Sequence, residues 1–175
     1  MNITDTNFWE QVKKIFFEAL LAGYAGKNDD PRVVKSKSLD DKEKTFTFID
    51  ADFIVIDRYY VTSNSDYSCG YTVILFQGNP IWFMNYGGFY PKSPKDVISL
   101  LKEALGVTYS KGEFNGGRGP FMYSAKGLVY YNAVAKGDFF KFSGREEIRR
   151  VSLGENGIHV ETLIGEHVYS GMRMI

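Results

Sequence analysis

The sequence predicts an α+β fold built mainly on antiparallel β-sheet, and three observations carry that prediction. The chain of 175 residues holds 14 Phe, 12 Tyr and 2 Trp, side chains that favour strands and supply large buried areas. Strand-like runs follow one another with tight turns between them, whereas parallel strands need long crossovers. Helical periodicity is clear at only two places, the N-terminus and the middle of the chain. The expected architecture is therefore a meander of about eight to ten strands, strongly curved or sandwich-like, with an N-terminal helix and one central helix.

The first helix follows from Phe8, Val12, Ile15, Phe16, Ala19 and Leu20, which form one apolar stripe, with Glu10, Lys13, Lys14 and Glu18 mostly off it. Asn7 is its expected cap and Gly23 its expected end. Residues 27–44 carry six positive and five negative charges and few large apolar side chains, which predicts a polar loop. Phe46 and Phe48 alternate with threonines, and 53–61 reads as a second strand after a turn at 50–52. Residues 71–77 and 81–86 form a hairpin around Gly78, Asn79 and Pro80. In its second strand Trp82, Met84 and Tyr86 share one face. Ser93, Pro94 and Asp96 open the central helix, and Gly106 is expected to stop it. Residues 110–120, with four glycines, read as a loop. Up to six short strands follow, punctuated at Lys126-Gly127, 136–138, 154–157 and Gly165-Glu166.

No internal repeat or linker divides the chain, so residues 1–175 are expected to form one domain. Twenty-one Lys and Arg balance 21 Asp and Glu, which leaves no global field to draw the protein to nucleic acid or an anionic membrane. The N-terminal segment is too polar and too charged for a signal peptide, and no apolar run reaches the length of a membrane span. With one cysteine, Cys69, no internal disulfide can form. A cytoplasmic protein is the expectation.

Chemistry-bearing motifs are few. The loop 112–120 could cradle an anion with its glycine amides and clamp it with Arg118, but it lacks the lysine and Ser/Thr of a P-loop. The plainer reading has Arg118 pinning the loop to a carboxylate or carbonyl. His159 and His167 are too few for a zinc site, so neither a metal nor a cofactor is expected. A strand histidine more often faces solvent or a hydrogen-bond partner than it acts as a base. Cys69, beside Gly70, reads as a small buried side chain. Asp57 and Arg58 sit in an otherwise apolar strand and need partners if they are buried. Trp82, Met84 and Tyr86 would line either an apolar pocket or plain core.

The segment 80–88, Pro-Ile-Trp-Phe-Met-Asn-Tyr-Gly-Gly, resembles the central motif of a bacterial domain family of uncharacterised function, often found C-terminal to Xre-type helix-turn-helix domains. Tyr24-Ala25-Gly26, the run 57–60, Arg118-Gly119-Pro120, Phe142-x-Gly144-x-Glu146-x-Ile148 and Val168-Tyr169 with Gly171 agree in order, so the resemblance spans residues 16–171. It implies a companion or sensing role and brings no activity with it. The chain departs from the pattern at Tyr71-Thr72, where the family has a Glu, and at Ser170, where it has a histidine.

These readings converge on a non-catalytic module that binds or senses a small molecule, with Asp57, Tyr59, Trp82, Met84, Tyr86, Arg118 and Glu146 as candidate ligand-binding residues. Two alternatives stay open. One is a small hydrolase or transferase with an Arg/Glu/His site, and the other is a protein-interaction module acting as a homodimer.

Overall fold

The computed structural model of the chain describes residues 5–26, 29–39, 42–154 and 157–175. The expectations for residues 1–4, 27–28, 40–41 and 155–156 lie outside the described residues. Helix α1, Thr6–Leu20, is capped by Asp5, whose carboxylate accepts from the Asn7 amide. Its cap therefore lies two positions before the expected Asn7. The helix does not end at Gly23. It widens into a π-turn, Leu21–Ala25, and leaves helical geometry at Gly26. Gly23 serves packing instead, because a Cβ there would overlap the Phe46 ring.

Among the described residues, nine strands follow in one antiparallel sheet. The N-terminal five are β1 Val33–Lys37, β2 Glu43–Asp50, β3 Phe53–Val61, β4 Tyr67–Phe76 and β5 Asn79–Phe89. Part of the expected polar loop is thus an edge strand, β1, which is mostly exposed and whose charged side chains suit an edge. The β4–β5 hairpin turns through Gln77 and Gly78, both at positive φ, so Asn79 and Pro80 already belong to β5. Helix α2, Asp96–Lys111, runs through Gly106 to a left-handed Gly112. A glycine inside a helix costs about 1 kcal/mol. Beyond it, Thr108 and Tyr109 are buried and the Tyr109 hydroxyl donates to the Gly117 carbonyl at 3.0 Å, which holds the extra turn.

The C-terminal strands are β6 Met122–Ala125, β7 Leu128–Asp138, β8 Lys141–Leu153 and β9 His159–Arg173. They number four, within the expected maximum of six: 136–138 ends β7 just before the turn at Phe139 and Phe140, and Gly165-Glu166 lies inside β9. The order across the sheet is β1-β2-β3-β4-β5-β9-β8-β7-β6. The first five strands form one meander; α2 carries the chain to the far edge, and a second meander returns until β9 pairs with β5. The sheet stays open, with β1 and β6 at its edges. Both helices bury their stripes in the same apolar cluster as Phe48, Val55, Ile74, Trp82 and Ile148 of the strands. No helix among the described residues is long and apolar enough to cross a membrane.

Candidate ligand-binding cleft

Antiparallel register brings distant residues into transverse rows whose side chains share a face. Ser68, Gly88, His167, Glu146 and Asn132 are successive partners across β4, β5, β9, β8 and β7. Gly88 contributes no side chain, so Ser68 Oγ reaches His167 Nε2 at 3.2 Å. His167 Nδ1 stands 3.6 Å from Glu146 Oε1. The same carboxylate takes a hydrogen bond from Arg118 Nη2 on one oxygen and one from the Tyr130 hydroxyl on the other, the latter at 2.7 Å.

The neighbouring row reads Tyr59, Gly70, Tyr86, Tyr169 and Gly144. A Cβ on Gly70 would lie 2.7 Å from the Tyr86 hydroxyl, so the glycine makes room for that ring to lean across the sheet. Tyr86 donates to both oxygens of Asp57, at 3.1 and 3.2 Å, and Thr72 Oγ1 donates to Oδ2 at 2.7 Å. Arg118 lies 5.3 Å from the Tyr86 ring centroid, and the His167 ring stacks on the same tyrosine at 6.0 Å.

The glycine-rich loop is fixed from below. Asn132 Nδ2 donates to the carbonyls of Asn115 and Gly119, both at 2.9 Å, and its oxygen accepts from Tyr169 at 2.6 Å. The Gly119 amide donates to the Tyr130 hydroxyl at 2.9 Å. Arg118, which follows two glycines at positive φ, is thereby aimed at Glu146 rather than at solvent. It pins the loop to a carboxylate, as the plainer sequence reading has it.

Above these rows opens a cleft of about 590 Å³, roofed by the end of α1 with its π-turn and by the first half of α2. Asp57, Tyr59, Tyr86 and Arg118 line it, and Glu146 stands behind Arg118, fully buried. Trp82 and Met84 share the sheet face with Tyr86 but do not reach the cleft. Trp82 stacks on Phe139 and Phe142 at 5.1 and 5.6 Å and donates Nε1–H to the Phe139 carbonyl, so that end of the face is solid core. The face the sequence offered as one unit is therefore divided between core and opening.

Tyr24, Tyr90 and His167 line the cleft as well; Tyr24 stands in a resemblance motif and His167 is one of two histidines, but nothing in their local sequence places any of the three in the cleft. Only the β5–β9 pairing, unpredictable without the long-range register, sets His167 beside Gly88 and Tyr90. His159 is exposed, and Cys69, expected to be buried, is exposed too. Among the described residues no three His, Cys, Asp or Glu side chains cluster as metal ligands.

A family model described as Domain of unknown function (DUF5680) matches residues 57–171. The chain belongs to this family. No curated protein and no solved structure matches it. The DUF5680 match begins at Asp57 and takes in Ser68, Tyr86, Tyr90, Arg118, Glu146 and His167. It leaves out α1, the π-turn and β2, which supply the cleft with Leu20, Tyr24 and Lys44.

Within this DUF5680 chain, burial sets the protonation of the cleft floor. It pushes the Asp57 carboxyl up to about 6, against the hydrogen bonds from Thr72 and Tyr86 and the charge of Arg118. It also drives the His167 imidazole down to about 4, helped by the Arg118 charge and opposed by Glu146. At neutral pH the imidazole is uncharged. Burial would raise Glu146 likewise, but the charge and hydrogen bond of Arg118, with smaller help from His167 and Tyr130, hold it below the ordinary carboxylate range. Glu146 and Arg118 are thus a buried ion pair whose charges cancel. The Tyr90 hydroxyl is held protonated, first by burial and then by the Glu146 charge.

Proposed function

We propose that the chain is a non-catalytic small-molecule-binding module with a sensing or regulatory role, its ligand held in the cleft above Tyr86. One observation carries this reading. Arg118 Nε and His167 Nδ1 are buried without a partner at hydrogen-bonding geometry among the described residues, and both residues line the same cleft. A buried polar group left unpaired costs about 1–3 kcal/mol, and each such group in a native protein calls for an explanation. A ligand whose polar end reaches this floor supplies the missing partners. Leu20, Tyr24, Tyr59 and Ile98 offer its body an apolar wall, and the volume falls within the roughly 300–1,000 Å³ of small-molecule sites. The regulatory part of the proposal rests on the companion-domain role that the sequence resemblance implies.

A thermal-shift screen against a metabolite panel tests it. A ligand at a hundred times its Kd adds about 2.7 kcal/mol, which raises Tm by roughly 5–10 °C for a chain of this length. Ile98→Trp, which fills the cleft from α2, should abolish the shift. A panel without hits, or equal shifts in that variant, counts against the proposal.

A second reading, a small hydrolase, is favoured by the order Ser68, His167, Glu146, which is that of nucleophile, base and orienting acid. Two facts weigh against it: Ser68 lies within a strand rather than on an exposed turn, and Glu146 is already engaged by Arg118 and Tyr130. A fluorophosphonate probe that labels Ser68 in the parent protein but not in His167→Gln would establish this reading, and no labelling would end it.

A further inference from the structure

Charge around the cleft is lopsided in a chain whose total is zero. Among the described residues Lys37, Lys42, Lys44, Lys92, Lys95 and Lys102 line it together with Arg118, whereas only two acids, Asp57 and Asp66, do so. The floor and the mouth differ. At the floor Arg118 is cancelled by Glu146, so what remains there is neutral and polar. Its unpaired Arg118 Nε–H is a donor. Near the mouth, among the described residues, the lysines outnumber the carboxylates. Lys44 of β2 lies 5.7 Å from the Tyr59 ring centroid and Lys102 of α2 lies 5.1 Å from that of Tyr24. Those two rings meet edge to face at 6.3 Å, so opposite walls bring ammonium groups towards one aromatic ledge. Lys92 is spoken for, since it donates to the carbonyls of Thr62 and Ser65 and ties down the loop between β3 and β4.

Lysines scattered on a solvated surface attract little, because charges more than about 8 Å apart are screened at physiological salt. Here they surround a concave, aromatic-walled opening, where field lines are focused and a counter-ion gains more than it would on a flat surface.

We propose that the cleft takes an amphipathic anion: an apolar or aromatic body with a hydrogen-bond-accepting group at the floor and a carboxylate, sulfonate or phosphate at the lysine-lined mouth. The proposal rests on the binding role argued above and adds the chemical class of the ligand.

A matched pair of fluorescent probes separates the two claims. Anilinonaphthalene sulfonate has the body and the anion; its uncharged parent, phenylnaphthylamine, has the body alone. Both are titrated, at low and at physiological salt, into the full chain, into Ile98→Trp, and into the triple variant Lys44→Gln/Lys95→Gln/Lys102→Gln, with the fold of each variant checked by circular dichroism and thermal melting. Lys95 and Lys102 are exposed and Lys44 is partly so, which suits the triple change to a folded variant. The expected result is that the sulfonate binds the parent chain at least about tenfold more tightly than the neutral probe. The triple variant should remove most of that advantage and leave the neutral probe unchanged, and high salt should act in the same direction. Equal affinity for both probes, unaffected by the lysine changes, would overturn the anionic ligand while leaving a cleft that binds. If Ile98→Trp alters the binding of neither probe, or neither binds, the cleft reading itself falls.

Discussion

Asp57 and His167 sit on the same cleft wall and respond to pH in opposite senses. An unfolded aspartate titrates near about 3.9 and an unfolded histidine near about 6.5. Asp57 is raised to about 6 on folding, so the native state holds its proton more tightly, and the stability it contributes falls as pH rises from about 4 to 6. His167 is lowered to about 4, so the unfolded state holds the proton more tightly, and stability rises between about 4 and 6.5. Each effect is on the order of 3 kcal/mol, and in the intact protein they nearly cancel. Urea unfolding from pH 4 to 7 should therefore be almost flat for the parent chain. It should rise with pH in Asp57→Asn, where the histidine effect is no longer offset, and fall in His167→Gln. Parallel profiles in all three proteins would show that the two groups are not buried as described.

At the scale of elements, the glycine-rich loop, β7 and β8 act as one unit. A Cβ on Gly119 would lie 2.6–2.7 Å from the Tyr130 ring and hydroxyl, and it is that hydroxyl which holds both the Gly119 amide and Glu146. Gly119→Ala should cost roughly 1–3 kcal/mol of overpacking, and in doing so dislodge the Tyr130 hydroxyl. Tyr130→Phe added to it should then cost little more, so a double-mutant cycle should show coupling of about 0.5–3 kcal/mol. Strict additivity would mean that loop and strand are independent. Such coupling marks the limit of what the sequence reveals. Helix α1, the β4–β5 hairpin and the class of the sheet follow from local periodicity and turn chemistry, and they stand close to where those signals place them. The overshoot of α2 past Gly106 and the edge strand β1 escape a reading by periodicity, because contacts outside each segment hold them: Gly117 for Tyr109, and β2 for β1. The cleft shows the same division. Asp57 is conspicuous as a polar residue in an apolar strand and Arg118 in a glycine-rich loop, but His167 and Tyr90 acquire meaning only through the β5–β9 pairing. Trp82 and Met84 share a face with Tyr86 by parity, and parity cannot tell where that face is covered.

For the whole molecule, the question is whether the family-matched segment, residues 57–171, can stand alone. The architecture argues that it cannot. Phe8, Trp9, Phe16 and Phe17 of α1 pack against Phe76, Trp82, Tyr109, Phe114, Phe139 and Phe140, with ring centroids 5.0–6.5 Å apart. A fragment comprising residues 57–175 keeps those six rings and loses their cover. If roughly 100 Å² of each is uncovered, the cost at about 25 cal/mol per Å² is on the order of 15 kcal/mol. That matches or exceeds the roughly 5–15 kcal/mol by which domains are usually stable. The cut also removes β1, β2 and the first four residues of β3, which leaves the rest of β3 and the Val73–Phe76 end of β4 as a new edge whose backbone groups invite pairing with another chain. The expected outcome is a fragment without a cooperative urea transition, with poorly dispersed amide resonances and a tendency to associate, while the full chain unfolds cooperatively. A cooperative transition and a dispersed spectrum from residues 57–175 would show instead that the sheet supports itself and that α1 serves mainly to roof the cleft. In that case the fragment should retain Asp57, Tyr86 and Arg118 in place yet bind no ligand, since Leu20, Tyr24 and Lys44 would be missing from the cleft wall.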